Sequence, residues 1–306
     1  MFPLSVGLMH RLAILFFALA PSIVLLQYGV AKARARWDDS LIWEAFFSGG
    51  VATIFVLVPA LLLKSVFAID AMSSVHAAAT NALVVAAIPE EAMKLGALFY
   101  MIKRHGDDAG RHDLITLAFA VGLGFAAIEN IGYLLAPGDW QLVAANRAML
   151  SVPGHGLNGL AMGACLTAAE LHPRHRRLWL IASLAIPILM HASYDFPLML
   201  FAKNPAFVGV LPAWFVMLIL TTIAAVWWSN KMRAAAQTYD PRAGSGKPRL
   251  TGVVILLLAP VLAFGALLGG GYLGVAGAAA LCILPSILGI DLLRTNLRSA
   301  GLVQPL

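Results

Sequence analysis

The sequence predicts an all-α fold, a polytopic bundle of about nine transmembrane helices with the N-terminus outside and the C-terminus in the cytoplasm. Three observations predict it. Of the 306 residues, 60% are hydrophobic and only 12% are charged, with a mean hydropathy of +0.84. No soluble domain of that length needs so much apolar surface. Runs of about 20 apolar residues, long enough to cross a bilayer, recur along the chain. Lys and Arg alternate between the segments that connect those runs, sixteen in one set and four in the other.

The expected spans are 11–31, 41–63, 78–102, 114–136, 153–171, 178–201, 206–229, 251–269 and 271–290. The first run could be mistaken for a signal peptide, but its apolar core exceeds the usual h-region, so it reads as an uncleaved span. The fifth is short and opens on Pro153-Gly154, so a broken or re-entrant start is expected. Between spans four and five, 137–152 reads as an interfacial connection carrying Trp140 and Arg147. Spans eight and nine are joined by a glycine-rich turn, GGGYLG.

The sparse set of cations is Arg11, Lys64, Arg147 and Lys203; Lys94 alone lies inside a span. Positive charge collects on the cytoplasmic side, which sets the orientation. The net charge of +6 is therefore loop asymmetry and not a nucleic-acid signal. Segment 231–250, rich in Gly, Ser, Pro and basic residues, reads as a flexible cytoplasmic linker. It would separate a seven-span body, 1–230, from a two-span appendage, 251–306. Cys165 and Cys282 lie in apolar runs and suggest neither a disulfide framework nor a zinc motif.

The chemistry sits where charge should not be. Glu90, Glu91, Glu129 and Asp195 fall inside spans, with Lys94, His155 and His191. An ionisable group at a helix centre costs roughly 2.5–3.5 kcal/mol on insertion scales. Such groups must face one another or a wet cavity. Counted along the helices at 1.5 Å per residue, Glu129 lies roughly 10 Å below the outer boundary, with Glu91 and His191 somewhat deeper. Spacing defines the faces: Glu90 and Glu91 precede Lys94 by four and three residues, and His191 precedes Asp195 by four. One Lys cannot neutralise two carboxylates, so the doublet must hold a proton or a cation. The small residues of AFAVGLGFAA and GLAMG would let the helices approach closely.

Two chemistries fit this set. Two histidines and a carboxylate on converging helices could hold a catalytic zinc with an open water position, from Glu129, His155, His191 and Asp195, the last as ligand or supporting partner. Glu90 or Glu91 would then take the proton from water. In a metal-free version a carboxylate activates water directly. No HExxH is present. Asn130 and Asn158 read as interhelical hydrogen-bonders, or less readily as oxyanion donors.

The ordered motifs EExxK (Glu90, Glu91, Lys94), FxxxE (Phe125, Glu129), His155 and HxxxD (His191, Asp195) resemble those of PrsW family intramembrane proteases, a group similar to the CAAX-protease and bacteriocin-processing membrane enzymes. The motifs run over 86–196 on four successive spans. The resemblance implies a bacterial plasma-membrane peptidase. Glu90, Glu91 and His191 would be its catalytic core, completed by Glu129, His155 and Asp195. It implies a single-span membrane protein as substrate, such as an anti-sigma factor, cut near the outer side of the bilayer. The rival reading is a proton- or cation-coupled transporter built on the same carboxylates. Partners beyond substrate and lipid, including oligomeric state, are not legible.

Overall fold

A computed structural model of the chain describes residues 3–33, 39–105 and 114–239. Every regular element among them is helical. In chain order the α-helices are α1 (Pro3–Ala33), α2 (Asp39–Val66), α3 (Ser74–Thr80), α4 (Ile88–His105), α5 (Leu114–Leu135), α6 (Trp140–Asn146), α7 (Val152–Leu171), α8 (Arg176–Lys203) and α9 (Leu211–Tyr239). Among the described residues, five stretches are long and apolar enough to cross a membrane: Gly7–Val30, Ser40–Val66, Leu114–Leu135, Pro173–Lys203 and Pro205–Ala236. They correspond to the expected spans one, two, four, six and seven.

The expected third and fifth spans are also helical, but each carries polar groups and is interrupted. α3 runs into α4 through a π turn, Asn81–Ala87, and α6 runs into α7 through another, Arg147–Ser151. Each π turn is followed by a proline, Pro89 or Pro153. A proline removes one amide and its ring presses on the carbonyl four residues back. Widening the turn relieves that pressure. The amides of Ile88 and Val152, just before the prolines, reach back five residues to Leu83 O and Arg147 O.

α9 continues to Tyr239, so residues 231–239 of the expected linker are helical, as the helix formers of KMRAAAQ favour. The rest of the linker, the appendage at 251–306 and Cys282 lie outside the described residues. Cys165 is a buried free thiol.

The described residues form two units, one of 3–33 and 126–153, the other of 39–105, 114–125 and 154–239. In the first, Ile14, Phe17 and Ala18 of α1 pack with Leu134 of α5 and with Ala144 and Ala148. Gly138, at φ 139, turns the chain into α6 in a backbone region that suits glycine. Asp139 then caps the helix by accepting from the amides of Gln141 and Leu142, both at 3.1 Å.

In the second unit α2 packs on α4, and α8 packs on α3, on the π turn and on α9. Phe125 is fully buried against Ala52 and Val56 of α2, with Met93 and Ala97 of α4 beside them. α5 is pressed into its neighbours through glycines. A side chain on Gly49 or Gly124 would collide with backbone across the α2–α5 contact, and one on Gly122, Gly159 or Gly163 would collide across the α5–α7 contact. Close approach through small residues is what packs helices in lipid, where apolar burial gives no driving force. The outward face of α2, with Ile54, Phe55, Val58, Leu61 and Leu62, stays exposed and suits contact with lipid.

Candidate active site

Three helices of the second unit bring the site together. α4 supplies Glu90, Glu91 and Lys94 in its first two turns. α7 supplies His155, two residues past Pro153. α8 supplies His191 and Asp195, one and two turns past Pro187. Each site segment thus begins just after a proline.

Glu91 is the hub and is wholly buried, at 0% exposure. Its Oε1 accepts from Lys94 Nζ at 2.8 Å, from His191 Nδ1 at 2.8 Å and from Asn158 Nδ2 at 3.2 Å. Its Oε2 is buried with no hydrogen-bond partner among the described residues. Lys94, 1% exposed, also lies 2.8 Å from His155 Nδ1 and 3.6 Å from Glu90 Oε2, and stands 4.2 Å above the Phe125 ring. Burying an ammonium is tolerable only with partners on every side. The pairing expected between Lys94 and the doublet is therefore present, and tighter to Glu91 than to Glu90.

His191 is bracketed by acids. Because Glu91 Oε1 can only accept, the ring hydrogen sits on Nδ1. Nε2 then faces Asp195 Oδ2 at 3.2 Å and Glu90 Oε2 at 3.8 Å. The His155 and His191 rings meet edge to face at 5.5 Å, and Phe125 lies 5.6 Å from His155. Phe125 of the FxxxE motif thus serves as an apolar wall touching both Lys94 and His155.

One ligand atom each from Glu90, His155 and His191 lies within 4.8 Å of the others. Three protein ligands with room for a water is the donor set of a catalytic zinc. The Nδ1–H bond of His191 to a carboxylate is also what orients a metal-binding histidine. With neutral histidines, Glu90, Glu91 and Asp195 outweigh Lys94 by two negative charges, which a divalent cation would balance. The residues present fit such an ion.

This grouping draws its carboxylate from Glu90, whereas the sequence pointed to Glu129 and Asp195. Asp195 adjoins the group through His191. Glu129 stands in the first unit, where Arg147 Nη2 donates to it at 2.6 Å. Arg147 also donates to Asn130 Oδ1 and lies 4.0 Å over the Tyr133 ring, while Asn130 Nδ2 donates to Ala18 O at 3.1 Å. The Arg147–Glu129 pair, eighteen residues apart on different helices, had no periodic signal to reveal it. Asn158 had one: it lies three residues after His155, on the same face of α7.

Comparison with known proteins agrees with these motifs. The family model described as PrsW family intramembrane metalloprotease matches residues 39–226, which include every residue of the cluster. A protein of Halalkalibacterium halodurans named Protease PrsW is 31% identical over 210 residues, covering 67% of this chain and 93% of its own length. Proteins of the same name from Geobacillus kaustophilus and Bacillus subtilis are each 29% identical over 226 residues, covering 73% and 72% of this chain and 92% and 94% of their own lengths. No solved structure matches. The transporter alternative is accordingly not favoured. The chain belongs to the PrsW family of intramembrane metalloproteases and is a membrane-embedded peptidase.

Proposed function

We propose that the chain hydrolyses a peptide bond of a single-span, membrane-anchored protein near the outer side of the bilayer, with Glu91 Oε2 as the atom that takes the proton from water. One observation carries this reading: a buried, unpartnered carboxylate oxygen belongs to the same cluster as the three-ligand group of Glu90, His155 and His191. Those three residues would hold a divalent metal, zinc being the ion that suits their number and type. When bound, such an ion polarises the scissile carbonyl and eases loss of a proton from water.

The chain's own residues do the rest. Glu91 takes the water proton on Oε2 as the water oxygen attacks the carbonyl carbon. It returns that proton to the amide nitrogen as the C–N bond breaks. Lys94 and His191 hold Glu91 by its other oxygen. Asp195 adds negative charge beside His191 Nε2, where a cation would be held. Lys94, as an ammonium, donates to His155 Nδ1 at 2.8 Å and so holds that ring in place. A substrate helix must unwind locally, because its peptide bonds are shielded by their own hydrogen bonds.

The nine-span topology with the N-terminus outside is part of the proposal. It rests on the Lys/Arg alternation and puts the cluster in the outer half or the middle of the bilayer. Anti-sigma factors are the first substrate class to test. The test compares membrane proteomes of cells carrying the wild type, Glu91→Ala and His191→Ala. A truncated single-span protein present only with the wild type supports the proposal. Processing that survives both substitutions removes it.

A further inference from the structure

We propose that Asn158 is a positioning residue that decides which oxygen of Glu91 acts as the base. The inference rests on the reading of Glu91 Oε2 as the proton acceptor. Asn158 is buried on α7, one turn after His155, and its side-chain amide donates to Glu91 Oε1 at 3.2 Å. Lys94 and His191 approach the same oxygen, and none of the three reaches Oε2. The terminal torsion of a glutamate is broad and two-fold, so its oxygens can exchange by rotation. Lys94 and His191 each have other acidic neighbours, Glu90 for the first and Glu90 and Asp195 for the second. Among the described residues, Glu91 is the only side-chain hydrogen-bond partner of Asn158. Its amide cannot change sign or move to another acid, so it is the fixed donor of the three.

An interhelical hydrogen bond that merely packs α7 on α4 would have the same distance. The two roles differ in how they respond to an isosteric acceptor. Asn158→Asp keeps the volume and sets a carboxylate against Glu91 Oε1. Asn158→Leu keeps the bulk and removes the donor. Asn158→Ser keeps a shorter donor. A group left without its buried partner costs about tenfold to a hundredfold in an equilibrium.

The experiment uses the purified full chain for zinc content and thermal midpoint, and membrane proteomes for the truncated fragment, with Glu91→Gln as the blank. The expected result is wild-type zinc in all three variants, with a wild-type midpoint in Asn158→Ser and a lowered one in Asn158→Leu and Asn158→Asp. Fragment formation should fall a few-fold in Asn158→Ser, about tenfold in Asn158→Leu and at least a hundredfold in Asn158→Asp. The inference is overturned if Asn158→Asp cleaves as well as Asn158→Leu, or if zinc falls in step with cleavage. A fragment that persists in Glu91→Gln instead overturns the base assignment, and this inference with it.

Discussion

An alanine at position 122 would act on the active site without touching any of its side chains. Gly122 lies on α5 against α7. A Cβ built there overlaps the carbonyl oxygen of His155 and stands 3.2 Å from its carbonyl carbon. A carbon approaches a carbonyl oxygen to about 3.3 Å. The two helices must therefore part by on the order of 1 Å, and no rotamer can help, since the obstacle is backbone. His155 rides on that backbone. Its 2.8 Å bond to Lys94 would leave hydrogen-bond range, and its ring would draw away from Glu90 and His191. Overpacking of this kind costs about 1–3 kcal/mol of stability. A displacement of 1 Å in a reacting array costs about a hundredfold in rate. The assay is fragment formation in membranes, with zinc content and thermal midpoint measured on the purified protein. Gly96→Ala on α4 is the control, because nothing lies within 4 Å of a Cβ there. Gly122→Ala that cleaves as well as Gly96→Ala would refute the claim that this glycine sets the position of His155.

Three further outcomes are expected. Glu91→Gln should keep zinc and lose about 10²- to 10⁴-fold in activity, the range of a general base, whereas Glu90→Gln should lose zinc as well; equal zinc loss in both would erase the distinction between base and ligand. Glu129→Gln should keep its zinc, because Glu129 is engaged by Arg147; a fall in bound zinc on elemental analysis would return Glu129 to the ligand set. Ala68, which follows α2 at φ 46, sits where only glycine is at ease. Ala68→Gly should raise stability by about 1 kcal/mol in thermal unfolding without changing cleavage, and a lowered midpoint would mean that the left-handed turn is not a source of strain.

The helical membrane class was legible because lipid allows little else, and apolar run length reports it directly. Five of the expected spans recur as long apolar helices. The spans carrying the cluster were harder to bound, because Glu90, Glu91, Lys94, His155 and Asn158 dilute the very signal that marks a span. The pairs within one helix, Glu91 with Lys94 and His191 with Asp195, were readable from their spacing and are met at 2.8 and 3.2 Å. Contacts across helices were not readable: nothing in the order of residues says that Lys94 reaches His155 or that Asn158 reaches Glu91. The π turns were equally hidden. Pro153 announced a disturbance and Pro89 was passed over, and only the backbone shows that each is met by a wider turn.

That widening makes each π turn a rotational offset. One residue of α-helix advances the chain by about 100°. A wide turn that accommodates an extra residue therefore swings everything after it around the helix axis. The seven residues Asn81–Ala87 stand directly ahead of Glu90 and Glu91, and the five residues Arg147–Ser151 directly ahead of His155. Loss of a single residue from either stretch would leave composition, apolarity and helix content almost unchanged. It would nonetheless aim the carboxylates or the imidazole away from their partners. The motifs of this chain are thus indexed by angle as well as by order, and a relative that keeps every site residue but not the phase of these turns would be inert.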